Sequence, residues 1–472
     1  MDDEYFDDEE FQEILNEYEA AVKSGQYVYM DVDDLADIAE YYQSKGLYDE
    51  AHDAIEQAYA LDPTSMAVLI FKVHEALYDE DVETAEALLE QIIERDSPEY
   101  VYGKAEVLLS KQQVEEADRF LREKYIDVPP DEHQDFVLDV ANIFTDYGYS
   151  EKAMEWMLRT HPDNTEDFKE VMAHTLMGLG KYDDSMRLFN ELIDRNPFQK
   201  RYWNALASAQ FLNEDYSAAV TSSEYAIAID PDDPESIIAK ANGLYQLDNF
   251  EEALKYYERY SAKVPDDEFG ILHQGTCLVN MGCYEEAVKR LTEAEKMSPY
   301  DSPYLMEIYQ ELAFAYSELG EPETAIFYID KTDDLDCDHI DMQVIKGHIL
   351  LSNKRLEEAE EVFRDAIVNS ASNPRTLMRI IVSLYDNQYV EAAYFMFQRL
   401  FEYVDEDWTE GYAYMALCCW DLKYYREFLE YLKEACEKNP TEARLVLARL
   451  FPEGMKPDKY YDYMVGRVKS ED

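Results

Sequence analysis

The chain has 472 residues, 47% of them hydrophobic, which is ample material for a packed core and excludes a wholly disordered chain. Its 104 aspartates and glutamates face 42 lysines and arginines, leaving a formal charge of −62. That surplus makes a nucleic-acid backbone or an anionic lipid surface a very poor partner and points to a neutral or basic protein.

The first ten residues, Met1 to Glu10, contain seven acids, and no basic residue precedes Lys23. They lack the apolar core of a secretory signal and the basic character of a transit peptide, so the expected location is cytoplasmic. The longest stretch without a formal charge, Phe269 to Tyr284, has 16 residues and includes His273, Gln274 and Asn280, too short and too polar to span a bilayer. Within 1–31, an acidic N-terminal segment, residues 5–24 place Phe11, Ile14, Leu15, Tyr18 and Val22 at helical spacing and read as a capping helix.

From there the chain repeats. Four segments, YDEAHDAIEQAYALDP (48–63), YSAAVTSSEYAIAIDP (216–231), YEEAVKRLTEAEKMSP (284–299) and YREFLEYLKEACEKNP (425–440), open with Tyr, carry small or apolar residues at i+3, i+4 and i+7, and stop at Pro. This is one face of a helix ended by a residue that cannot continue it. Aligned on the fourth position the column reads Ala51, Ala85, Ala117, Ala153, Ser185, Ala219, Ala253, Ala287, Ala325, Ala359, Ala392 and Phe428, in steps of 32 to 38 residues. Twelve residues upstream runs a second column, Ala39, Val73, Ala105, Ala141, Ala173, Ala207, Ala241, Gly275, Ala313, Gly347, Ile380 and Ala416. Two mostly small columns allow antiparallel helices to cross closely, so the chain reads as a series of helical hairpins.

These residues resemble the tetratricopeptide repeat (TPR) family, whose pattern is W-x2-L-G-x2-Y, then A-x3-F, then P over 34 residues. Trp203-x2-Leu206-Ala207 carries the opening Trp. The A-x3-apolar pair recurs as Ala51/Ile55, Ala253/Tyr257, Ala287/Leu291 and Ala359/Phe363, and the final Pro at Pro63, Pro129, Pro197, Pro231, Pro265, Pro299 and Pro440. Units near Glu99, Phe136 and Leu377 lack several signature residues. The 38-residue step passes through Pro299 and Pro303, where a longer loop is expected. The likeness extends to long, acidic, soluble bacterial TPR proteins. It implies an all-α fold, an α-solenoid of about twelve repeats forming a right-handed superhelix over 32–440, with terminal capping helices.

Residues 441–452 form the C-terminal cap through Ala443, Leu447 and Leu450, and 453–472 are a tail in which Tyr460, Tyr461, Tyr463, Met464 and Val465 sit among Lys456, Lys459, Arg467 and Lys469. The charge is unevenly spread. The first 100 residues hold 30 acids and 4 bases, whereas 441–472 hold 6 of each. Such a bias either keeps a helical surface solvated or attracts a basic partner.

Of the 40 tyrosines, Tyr48, Tyr182, Tyr216, Tyr284, Tyr389 and Tyr425 share one repeat column, which a packing role explains. In the resembled arrays the free face of each first helix lines a concave groove. One row there carries Glu40, His74, Glu106, Asn142, His174, Ser208, Asn242, Thr276, Phe314 and His348, and a neighbouring row Tyr78, Tyr102, Phe211, Tyr245, Phe269, Tyr385 and Trp420. Amides, imidazoles and aromatics suit a peptide backbone and its apolar anchors, although each can equally be a solvated or locally packed side chain. Some TPR domains clamp a carboxylate with Lys, Arg and Asn. Arg201, Asn204 and Asn242 stand near those positions, but Glu235, Ile238 and Ala239 follow where further cations belong, so the clamp is incomplete.

Nothing in the chain reads as chemistry. There is no G-x-x-x-x-G-K-S/T, no H-E-x-x-H and no G-x-S-x-G, and 15 glycines leave little for phosphate loops. Asp334-x-Asp336-x-Asp338 begins like a calcium loop, but His339 replaces the turn Gly and Ile345 the bidentate Glu. His74, His174 and His348 lie in different repeats, too far apart to share an ion. The six cysteines contain no C-x-x-C pair and read as packed thiols. No cofactor, metal or catalytic residue is assigned. The sequence therefore reads as a non-enzymatic scaffold that holds a peptide or helix of a neutral or basic protein, in an oligomeric state it does not reveal. The alternatives are a self-associating module whose tail fills its own groove, and an acidic nucleic-acid mimic.

Overall fold

The computed structural model describes residues 6–468 except 7, 25–29, 161–163, 336–338, 406 and 453. Cys337, Lys469 and two carboxylates of the calcium-like loop, Asp336 and Asp338, lie outside the described residues. The chain divides into two compact units, Met1–Pro231 and Asp232–Asp472, and the described residues contain helices and no strand.

Unit 1 opens with α1 (Glu9–Ser24) and continues as six hairpins. They pair α2 (Val32–Ser44) with α3 (Tyr48–Leu61), α4 (Met66–Tyr78) with α5 (Val82–Leu89), and α6 (Pro98–Ser110) with α7 (Val114–Tyr125). Then come α8 (His133–Asp146) with α9 (Ser150–Met157), α10 (Glu166–Gly178) with α11 (Tyr182–Arg195), and α12 (Lys200–Leu212) with α13 (Tyr216–Ile229). Unit 2 pairs α14 (Pro234–Gln246) with α15 (Phe250–Ser261), α16 (Glu268–Asn280) with α17 (Tyr284–Met297), and α18 (Leu305–Glu318) with α19 (Pro322–Asp330). It continues with α20 (His339–Ser352) and α21 (Leu356–Asn369), α22 (Pro374–Asp386) and α23 (Val390–Tyr403), and α24 (Tyr412–Asp421) and α25 (Tyr425–Lys438), before α26 (Pro440–Leu447) and α27 (Tyr460–Val468). Each unit is thus a stretch of α-solenoid.

One turn closes all twelve hairpins. Gly46, Glu80, Gln112, Gly148, Gly180, Glu214, Asp248, Gly282, Gly320, Lys354, Gln388 and Lys423 have φ between 57° and 77°. The amide that follows each one returns to a carbonyl five residues earlier at 2.7–3.0 Å, as in Leu47 to Tyr42 and Lys181 to Leu176. This 6→1 bond with a left-handed residue is the Schellman cap, and it satisfies carbonyls that the first helix would otherwise leave without a partner.

The left-handed residue lies seven places after the first-helix column and five before the second-helix column. Measured this way, one hairpin is out of register with the sequence alignment: from Gln388 the columns fall on Ile381 and Ala393. Ala393 is fully buried and Ala392 exposed. Phe397, four residues after Ala393, is fully buried as the large partner. Tyr389 accordingly sits at the N-cap of α23, outside the tyrosine column. Tyr48, in that column, is 56% exposed and stacks on Tyr78 at 5.8 Å.

The columns do what close packing demands. Ala39, Ala105, Ala141 and Ala173 on first helices and Ala85, Ala117, Ala153 and Ser185 on second helices are fully buried. At Gly275 a Cβ would come 2.5 Å from Leu291, and at Gly347 it would meet the ring of Phe363, so the helices approach closest there. Buried residues form successive small clusters. In unit 1 they run from Phe6 to Phe71, Leu69 to Val107, Val101 to Val171 and Ala173 to Leu206, and in unit 2 from Ile271 to Ile349 and Val344 to Met464. Each repeat is stabilised by its neighbours alone, as in a solenoid.

The acidic bias has a partly structural origin. Asp or Glu occupies the first turn of eleven of the twelve second helices, for example Asp49, Glu50, Asp183, Asp184, Glu285 and Glu286. There each complements the helix dipole, worth about 0.3–1 kcal/mol.

At the far end, residues 460–468, read from the sequence as tail, form α27. Tyr460 (1% exposed) and Met464 (fully buried) pack into the last core cluster, and Tyr460 stacks on Phe451 at 3.7 Å. Its apolar side is therefore already used.

Candidate partner-binding face

In each unit, successive first helices lie beside one another and are tied by polar contacts between their side chains. In unit 1, His74 Nε2 meets Glu106 Oε2 at 3.0 Å, Tyr102 donates to Asp139 at 2.9 Å, Thr145 and Thr175 share a hydrogen bond at 3.3 Å, and Arg201 pairs with Glu170 at 3.0 Å. In unit 2, Asn280 donates to the Tyr245 hydroxyl at 3.2 Å, Arg379 pairs with Asp341, and Tyr385 donates to Asp421 at 2.7 Å. These contacts set successive first helices side by side within each unit.

Individual members have different fates. Tyr78, Asn142, Arg201 and Phe314 are exposed, His74 is half-exposed, and Tyr102, His174, Phe211, Asn242, Tyr245, Phe269, His348 and Trp420 are half-buried. Asn204 (2%) and Tyr385 (8%) are buried, because Asn204 faces inward on α12 and the Tyr385 hydroxyl also accepts from Arg449 at 2.6 Å. Neither presents a surface to a partner. Phe211, Tyr245 and Trp420 turn their rings onto Tyr216, Phe250 and Tyr425, five residues on, and brace the hairpin turn. Phe269 stacks on His273 at 4.0 Å, His174 sets its edge on Phe189, and Asn242 accepts from Tyr257 at 2.7 Å.

Beyond Glu40, which belongs to the first row, this face carries a set of carboxylates that the sequence did not single out. Burial pushes Glu40, Asp139, Asp146 and Glu170 of unit 1, and Glu307 and Asp386 of unit 2, above the usual carboxylate range. Glu311, half-buried and beside Glu307, is pushed up to about 7 by loss of solvent and by the Glu307 charge. The imidazoles diverge. Burial works to lower His74, but its hydrogen bond to Glu106 and the charges of Glu106 and Glu40 prevail and raise it; burial lowers His174 and His348.

Two cavities open on this face. In unit 1, about 590 Å³ between α8, α10 and α12 is walled by Asp135, Asp139, Asp146, Asp167 and Glu170 with Asn142, His174 and Arg201. In unit 2, about 560 Å³ lies across α16, α18, α20, α22 and α24, mainly apolar, with Glu311 and His348 in its wall. Among the described residues no cluster of three His, Cys, Asp or Glu could hold a metal, and no helix is long and apolar enough to cross a membrane.

Family sequence models described as tetratricopeptide repeat match residues 72–124 and 171–234, 210–270, and 340–367. No curated protein matches the chain significantly. Similar solved structures include MamA (41-end) from Desulfovibrio magneticus RS-1, 17% identical over 37% of this chain and 96% of that one, with a TM-score of 0.35. Another is TTC0263, a thermophilic TPR protein in Thermus thermophilus, 21% identical over 40% of this chain and 100% of that one, with a TM-score of 0.32.

Proposed function

Because the chain belongs to the tetratricopeptide-repeat proteins, whose repeats serve protein–protein interaction, we propose that it is a non-enzymatic scaffold whose first-helix face holds a peptide or helix of a neutral or basic partner. The observation that carries this reading is the row of partly buried carboxylates on that face. An ionised carboxylate partly out of water is unfavourable unless a cation joins it, so the half-buried Glu40, Glu307 and Glu311 gain from a basic partner more than exposed acids do. The acids in the first turns of second helices already have a structural use. Those of the first-helix face have none so general.

Crosslinked capture from lysate at low and high salt, with the crosslinks mapped by mass spectrometry, tests the reading. The expected result is a basic protein joined to first-helix residues and lost as salt rises, since charge acts mainly on encounter. Crosslinks confined to second helices, or retention indifferent to salt, would refute it.

A further inference from the structure

We propose that the unit 2 cavity takes one lysine or arginine side chain of the partner segment together with an adjoining large apolar residue, and that Glu311 accepts the cation. This rests on the binding face proposed above and names what one part of it recognises. Phe314, Ile345, Met378 and Val382 give the cavity apolar walls, and Glu311 reaches it from α18. Lys and Arg are the side chains that match such a wall, because their aliphatic stems lie along apolar surface while the charged head seeks a polar partner.

Charge complementarity selects the occupant. Among the described residues no lysine or arginine stands within 4 Å of Glu311 or Glu307. Arg379, which also lines the cavity, is held by Asp341 of α20. His348, facing the cavity from α20, is kept toward its neutral form by burial and adds no fixed charge. An anion would meet the Glu311 carboxylate, and an uncharged apolar residue would cover half-buried Glu311 without supplying a counter-ion.

The same geometry makes the selection depend on pH. Glu311, held near 7 by burial and Glu307, must be ionised to take the cation. The other groups facing it are Tyr245 of α14, Glu307 of its own helix, His348 of α20, the Arg379–Asp341 pair and Tyr414 of α24. The preference for a cation therefore grows as pH rises from 6 to 8.

The test uses fluorescein-labelled Ser/Ala-rich peptides of about twelve residues, long enough to lie in a groove, with a central Leu-Arg, Leu-Lys, Leu-citrulline or Leu-norleucine. Their affinity for the full chain is read by fluorescence anisotropy at pH 8 and pH 6. Leu-Arg and Leu-Lys are expected to bind about tenfold tighter than the neutral pair at pH 8, the size of one charge-assisted hydrogen bond. Glu311→Gln should abolish the preference, and Glu360→Gln, which removes an exposed charge from a second helix, should retain it. Equal binding of Leu-Arg and Leu-norleucine, or a preference that survives Glu311→Gln, overturns the inference and leaves the binding face standing. Failure of every peptide to bind overturns both.

Discussion

Gly347→Ala isolates the packing that makes the hairpins possible. Gly347 lies in the first-helix column of α20, and a Cβ there would stand 2.6 and 2.7 Å from Cδ1 and Cζ of Phe363, itself 5% exposed and confined by its core cluster. The ring must shift or the helices part, an overpacking cost of about 1–3 kcal/mol. Alanine's better helix propensity returns about 1 kcal/mol of that. The net loss of about 0–2 kcal/mol, about 1 kcal/mol at its centre, should appear as roughly fivefold faster hydrogen exchange across α20 and α21, since 1.4 kcal/mol is a factor of about ten. Gly180→Ala is the control: φ is +70° and no heavy atom lies within 4 Å of the added Cβ, so only the left-handed backbone resists, at about 1 kcal/mol. Gly347→Ala combined with Phe363→Leu should regain protection, whereas Gly180→Ala combined with Phe363→Leu should not. If Phe363→Leu fails to relieve Gly347→Ala, the close-crossing argument is wrong.

Three further outcomes follow from the same structure. Ala393→Leu should strongly lower the thermal midpoint while Ala392→Leu leaves it nearly unchanged, because Ala393 is fully buried and Ala392 exposed; the reverse order would restore the sequence alignment. Asp118, 5% exposed, is pushed up by burial, but the hydrogen bond from Arg122 at 2.8 Å, the charges of Arg122 and Lys152, and the Trp156 Nε1 donation at 3.0 Å outweigh that and hold it low. Asp118→Ala should cost about 3 kcal/mol at pH 7 in urea unfolding, an effect that fades as pH falls through the folded-state value and Asp118 is protonated. Glu311 has the opposite sign. Its folded value, about 7, lies above the unfolded one, so its contribution is favourable in acid and lost as pH rises to 7. Glu311→Gln should therefore stabilise unit 2 at pH 8 and make no difference near pH 4.5, as read by thermal midpoints.

The acidic composition divides into two populations with different physics. Acids at the N-termini of second helices face water and satisfy dipoles, and their removal should weaken helices singly. Glu40, Glu170, Glu307 and Glu311 on first helices are half-buried, and removal of Glu311 is expected to help the fold and harm recognition. Such opposition between stability and binding is what a site held ready for a cation shows.

Sequence by itself determined the number of hairpins, their order and most of their register. A helix crossing tolerates only small residues, and this leaves a mark every 34 residues or so that composition cannot hide. It could not determine the register at Ala392 and Ala393, since two adjacent alanines satisfy the pattern equally and only burial against the neighbouring helices tells them apart. Nor could the seven turns that use Glu, Gln, Asp or Lys where Gly is expected be read as left-handed, because the Schellman cap is held by backbone bonds that any residue can make at a modest strain. On the candidate face the aromatic and imidazole rows were legible from helical spacing. Tertiary structure then turned Phe211, Tyr245 and Trp420 toward their own hairpins, buried Asn204 and Tyr385, and brought forward Glu311, one of 104 acids. A carboxylate is distinguished by how much water its neighbours remove, and those neighbours come from helices separated by whole repeats in the chain.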